Sequence, residues 1–169
     1  METSRCAVLI VAAVTLAGCA RPISQSELRL EAQSAGGRKW VRVTAPPSAL
    51  MINTWIDGCA GDVEVIYQSP RVASFACRQP GATRYASFRL ADGRHLALDD
   101  IVQPSALATL QAAADKALRK RGQPAVAVPA DVALNAQGLI FFAEGGDVVI
   151  PQTDLRPMVK PEAALLVGR

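Results

Sequence analysis

Three glycine-marked turns constrain what this chain can fold into more than any other feature. Gly36-Gly37, Asp92-Gly93 and Gly145-Gly146 each lie between short apolar-rich runs. Turns of this composition match the right-handed twist of two antiparallel strands. Before the first, Leu28, Leu30 and Ala32 alternate with Arg29, Glu31 and Gln33, and Lys39 to Thr44 alternates again behind it. A period of two is the signature of a half-buried strand. Ser24 and Glu27 also fit a capping box, which offers a competing helical reading; the glycine pair and the second alternating run favour a hairpin. Asp92-Gly93 joins Ser87–Leu90 to His95–Leu98, and Gly145-Gly146 joins Leu139–Glu144 to Asp147–Ile150. The run from Leu139 is apolar on both faces, as a central strand covered by a helix is. Further strands are expected at Val63–Tyr67, at Val72–Cys77 across a Ser69-Pro70 turn, and at Tyr85–Leu90 after Pro80-Gly81. Val132 and Leu134 begin another, which turns at Asn135 to Gly138.

Two segments carry helical spacing instead. From Ser48 to Asp57, Leu50, Met51, Ile52, Trp55 and Ile56 fall at helical separations before Gly58. A longer helix is expected from about Pro104 to Arg121. There Leu107, Leu110, Ala114 and Leu118 share a face, Asp115 precedes Arg119 by four, and Gly122 follows a basic last turn. Residues 123–130, with Pro124 and Pro129, read as a connection, and the segment from Pro151, with Pro157 and Pro161, is expected to fray. The fold class is α+β: an antiparallel sheet of several hairpins packed against one longer and one short helix, in a single domain spanning 27–160 with a tail at 161–169.

Ahead of this domain, Ala7 to Ala17 is apolar apart from Thr15. At 11 residues it is too short for a hydrocarbon core of about 30 Å, which takes roughly 20 residues, so it reads as the core of a signal peptide. Leu16, Ala17, Gly18 and Cys19, which end it, resemble the bacterial lipoprotein box. The resemblance implies a lipoprotein signal peptide at 1–18, lipidation of Cys19 as the new first residue, and a membrane partner reached through that lipid. An ordinary signal peptide cut near Ala17-Gly18 is the alternative. Ala20 in place of an aspartate implies sorting to an outer membrane, facing the periplasm. Residues 19–26, with Pro22, then form a tether.

Removing 1–18 from the 169 residues leaves 151, enough for one proper core. It also removes Cys6, so Cys59 and Cys77 remain as an even pair in an oxidising compartment, where a disulfide is expected. If their two strands pair, both sulfurs lie at the same end of a hairpin; two buried free thiols are the alternative. No metal is expected, since two thiols with His95 as the sole histidine do not complete a tetrahedral set. The net charge of +3 is scattered and aromatics are few, so no nucleic-acid partner is expected. Arg38-Lys39 and Lys116, Arg119, Lys120, Arg121 read as solvated faces, with contact to an anionic envelope polymer as the alternative.

Catalytic chemistry finds little support. Asp99 and Asp100 are adjacent, so in an extended segment their carboxylates point to opposite faces, and a local turn or cap is the better reading. A Ser87–His95–Asp set can be drawn, but no Gly-x-Ser-x-Gly elbow, phosphate loop, Cys-x-x-Cys or His-Glu-x-x-His motif accompanies it. No catalytic residue and no cofactor are assigned.

The order of Val63–Tyr67, Ser69–Phe75, Ser87–Val102 with its Asp92-Gly93 turn and Leu96-Ala97-Leu98-Asp99-Asp100, the helix to Arg121, Gly138–Phe142 and Val149–Leu155 resembles the C-terminal domain of unknown function of RsiV-type anti-sigma factors, a DUF3298-like domain. A related domain accompanies secreted polysaccharide deacetylases. The resemblance implies an α+β fold and an extracytoplasmic binding role, which in the RsiV type is recognition of lysozyme. Only Glu144 to Asp147 connect the last two strands here, where the family usually has a longer segment, and a lipid anchor stands in for the transmembrane helix. The expected function is a non-enzymatic, lipid-anchored envelope protein binding a protein such as lysozyme or a cell-wall glycan such as peptidoglycan. A small envelope hydrolase and a structural subunit of an envelope assembly are the alternatives.

Overall fold

The computed structural model describes residues 28–44 and 48–167; the signal peptide, Cys19, the tether and Pro46-Pro47 lie outside them. Strands β1 (Leu30–Ala35) and β2 (Arg38–Val43) form the first hairpin, with Leu30 opposite Val43. Its two turn residues, Gly36 and Gly37, have φ of +59° and +82°. A Cβ is strained at both positions, so this turn is available to a glycine pair and to few others. Strands β3 (Asp62–Gln68), β4 (Val72–Gln79), β5 (Ala82–Arg89) and β6 (His95–Leu96) form a four-stranded antiparallel sheet in sequence order. Strands β7 (Ala133–Asn135), β8 (Gly138–Ala143) and β9 (Gly146–Pro151) form a three-stranded one. The helices are α1 (Ala49–Asp57), α2 (Leu98–Ile101), α3 (Leu107–Arg119) and α4 (Gln152–Leu155). The α+β class and the hairpins are as expected; the strands divide among three sheets.

The period of two on β4 and β5 explains how the layers stack. Ala73, Phe75, Cys77, Ala86 and Phe88 face one way, into a core closed by Ile52 and Ile56 of α1 and by Val43. Ala76 and Tyr85 face the other way, onto Ala133 and Ile140 of the three-stranded sheet. The four-stranded sheet is therefore covered on both faces, and six consecutive residues of β4, Val72 to Cys77, are buried. Strand β8 is likewise apolar on both faces: Ile140 meets the central sheet, while Leu139 and Phe141 share a core with Leu110, Ala114 and Leu118 of α3.

Four expectations need correction. The helix expected from Pro104 opens as a 3-10 turn at Pro104–Ala106, and Leu107 is 42% exposed, so the buried stripe begins one turn later at Leu110. Asp115 accepts a hydrogen bond from Gln111 Nε2 at 2.8 Å and forms no ion pair with Arg119, four residues on. The strand expected through Leu98 stops at Leu96, because Leu98 starts α2. The segment from Pro151 is no fraying tail: Leu155, Met158, Val159, Ala163 and Val167 are buried in the α3 core. Its backbone is fastened to the α2 end by Gln103 N–H to Met158 O and Lys160 N–H to Ile101 O, both 2.9 Å, around a Val102–Val159 bridge. Five apolar side chains outweigh the two prolines, which only fix φ in short turns.

Candidate functional site

Strand β3 ends the order of the central sheet, so its outer edge has no strand partner there. Strand β2 runs beside that edge without joining the sheet, and side chains fasten its hairpin to the domain at both ends. At one end Arg38 donates from Nε to Gly61 O and from Nη2 to Ile56 O, each at 2.8 Å. Its guanidinium carbon lies 4.9 Å from the Trp40 ring centroid, a cation–π distance. The Lys39 N–H donates to Asp62 Oδ1 at 2.8 Å. At the other end Gln68 Nε2 donates to Leu28 O at 3.4 Å. Between the fastenings runs an open trough of about 580 Å³ lined mainly by Leu30, Ala32, Trp40, Val41, Val63 and Val65. Sequence reasoning missed it. Arg38, expected as part of a solvated pair, is half-buried and clamps the hairpin to the domain.

The disulfide between Cys59 and Cys77 is formed, with the Cα atoms 5.9 Å apart. Val63 pairs with Cys77, which brings the residues just before β3 to the end of β4, and the Gly61 N–H points to Cys59 Sγ at 3.3 Å. The bond closes the end of the domain at which Arg38 is also fastened.

The residues weighed for catalysis do not converge. Ser87 and His95 stand on neighbouring strands, with Ser87 opposite Leu96 and Phe88 opposite His95. Successive side chains on β5 point to opposite faces. Ser87 is fully buried toward the three-stranded sheet, where its Oγ lies 2.6 Å from Ser74 Oγ and accepts the Leu134 N–H at 2.9 Å. His95 lies on the other face, its ring 5.4 Å from that of Phe88. Asp100 accepts the Ala97 N–H at 3.0 Å and pairs with Arg94, so it caps α2. Asp99 is exposed in the first turn of the same helix. Among the described residues no group of three or more His, Cys, Asp and Glu side chains is placed to hold a metal ion. None of their helices is long and apolar enough to cross a membrane.

Two shifted groups have structural causes. Asp92 is held near pH 2 by its hydrogen bond from Arg89, helped by the Arg94 N–H at 3.1 Å, so the Asp-Gly turn carries a charged carboxylate at neutral pH. Burial and the neighbouring Asp147 carboxylate push the Tyr85 phenol well above its ordinary 10.0, which keeps it protonated.

Two antiparallel sheets stacked face to face, capped by α1 and a hairpin on one side and by α3 on the other, define an α+β domain. No protein-family profile and no curated protein matches the sequence. Among solved structures, the crystal structure of a DUF3298 family protein from Pseudomonas aeruginosa PAO1 aligns over 82% of this chain and 97% of that one, with a TM-score of 0.54 and 10% identity. The fold of this chain is DUF3298-like.

Proposed function

We propose that this chain is a lipid-anchored protein of the cell envelope whose domain binds an extended segment of another protein in the trough beside β3. The observation that carries this reading is the trough itself: an apolar channel beside β3, whose outer edge pairs with no strand among the described residues. A polypeptide laid there could bond to the strand edge through its backbone while alternate side chains fill the apolar wall. A cell-wall glycan fits less well, because stacking a sugar takes an open aromatic face and Arg38 covers one face of Trp40. The separate roles of Ser87, His95 and Asp100 support binding over hydrolysis. Lipidation at Cys19 and a periplasm-facing outer-membrane location complete the reading.

The test is binding of the purified domain to lysozyme, to intact peptidoglycan and to envelope protein extracts, with Ala32→Glu as the variant. Ala32 lines the trough and is exposed, so the substitution places a charge in the channel without disturbing the core. Protein binding that Ala32→Glu weakens at least about tenfold, a difference of ~1.4 kcal/mol, supports the reading. Binding to peptidoglycan alone, or protein binding indifferent to Ala32→Glu, refutes it.

A further inference from the structure

We propose that one pole of the domain rests directly on the bilayer, with Leu50 and Met51 inserted at the level of the headgroups. The proposal rests on the lipid-anchor reading of Cys19.

Four segments of the chain meet at that pole. The described chain begins there, with Leu28 O bonded to Gln68 and Arg29 O accepting the Thr44 N–H at 3.0 Å. The turn after Gln68 reaches the next loop through Leu90 N–H to Arg71 O at 2.8 Å. That loop ends at Gly93, where an added Cβ would lie 3.0 Å from Ser48 Cα and 3.3 Å from Met51 Cβ. The first turn of α1 therefore sits beside the place where the chain enters the fold. The disulfide and the Gln79–Ala82 turn lie at the opposite pole.

On that first turn Leu50 is 75% exposed and Met51 53%. They are adjacent, apolar and unneeded by the core, which α1 reaches through Ile52 and Ile56. Arg29 and Arg71 are exposed at the same pole and form no ion pair with any described residue. Two guanidinium groups and two exposed apolar side chains at one pole match anionic headgroups above acyl chains.

The chain outside the described residues selects the bilayer as the occupant. Cys19 precedes Leu28 by nine residues, which span at most about 30 Å fully extended. A domain of this size is itself roughly 35–40 Å across. An anchor at Cys19 therefore holds the entering pole toward the lipid, and the opposite pole cannot be the one in contact.

The experiment uses the full, lipidated chain in vesicles of mixed zwitterionic and anionic phospholipid. A polarity-sensitive fluorophore is attached at Met51→Cys, at Ala82→Cys on the far pole, and at Met51→Cys combined with Leu50→Glu. Acylation of Cys19 is verified by incorporation of labelled fatty acid and by membrane fractionation. The expected result is blue-shifted emission at position 51 with severalfold quenching by brominated lipid, no quenching at position 82, and loss of the quenching with Leu50→Glu. Equal solvent exposure at both positions in an acylated, membrane-bound chain overturns the seating and leaves the anchor standing. A blue shift at position 51 that brominated lipid does not quench assigns the pole to a protein partner and also overturns it. A chain that takes up no fatty acid at Cys19 overturns the anchor itself.

Discussion

Replacing Ser87 with alanine removes one buried oxygen that makes two hydrogen bonds, one to Ser74 in its own sheet and one to Leu134 of the three-stranded sheet, and the cost can be worked from these contacts. Ser74 and Ser87 are both fully buried. Ser87 Oγ accepts the Leu134 N–H at 2.9 Å and is hydrogen-bonded to Ser74 Oγ at 2.6 Å. In Ser87→Ala the Leu134 N–H is left without its acceptor, which costs about 1–3 kcal/mol for a buried donor, and the Ser74 hydroxyl loses its partner for roughly 1 kcal/mol more. Ser74→Ala spares the Leu134 bond, so it should cost only about 0.5–1.5 kcal/mol. The two are coupled: once Ser87 is gone, the Ser74 hydroxyl is itself an orphan, and removing it relieves a penalty. The double variant should therefore be no less stable than Ser87→Ala alone, with a coupling of roughly 0.5–2 kcal/mol. Urea unfolding of the four proteins measures all terms, provided the m-values agree. Strict additivity, or a Ser87→Ala cost no larger than that of Ser74→Ala, would refute the reasoning.

Three further outcomes are expected. Reducing the Cys59–Cys77 bond, or replacing both with serine, frees a loop of sequence separation 18; the chain-entropy estimate is about 3 kcal/mol, seen as a melting temperature lower by roughly 6–12 °C. Because the carboxyl of Asp92 is depressed to about 2 in the folded state, its contribution is complete above the unfolded value near 4 and is lost as pH falls from there through about 2. The pair with Arg89 is exposed, so the gap between wild type and Asp92→Asn at neutral pH should stay below about 1 kcal/mol and close toward pH 2 in parallel denaturation series. Gly61→Ala would place a Cβ 1.9 Å from the Arg78 carbonyl oxygen; the backbone must give way, and circular dichroism melts should register a loss of about 1–3 kcal/mol or more.

Much of the architecture could be read from local pattern, because the turns are marked by residues whose conformation leaves little choice. Gly36-Gly37 and Asp92-Gly93 each join the strands expected of them, and the last hairpin turns one residue earlier than expected, at Glu144-Gly145, with Gly146 opening β9. The double-faced apolar run at Leu139 did lie between a sheet and a helix. What stayed hidden was set by contacts distant in sequence. Arg38 reaches Ile56 and Gly61, 18 and 23 residues away, and nothing in Arg38-Lys39 separates such a clamp from two solvated charges. The trough exists because β2 is fastened beside β3 without pairing to it, a relation that alternation within either strand cannot express. The burial of the last segment was missed because prolines at 157 and 161 argue against long elements and say nothing about short turns carrying apolar side chains.

The fastening of that last segment also orders events in time. Ile101, Val102, Leu110 and Phe141 share their core with Leu155, Met158, Val159 and Val167. A chain made from its amino end, and threaded outward in the same direction if it is exported, completes the hairpin of β1 and β2 and the Cys59–Cys77 loop early. The compartment around α3 stays open until residue 167 has emerged.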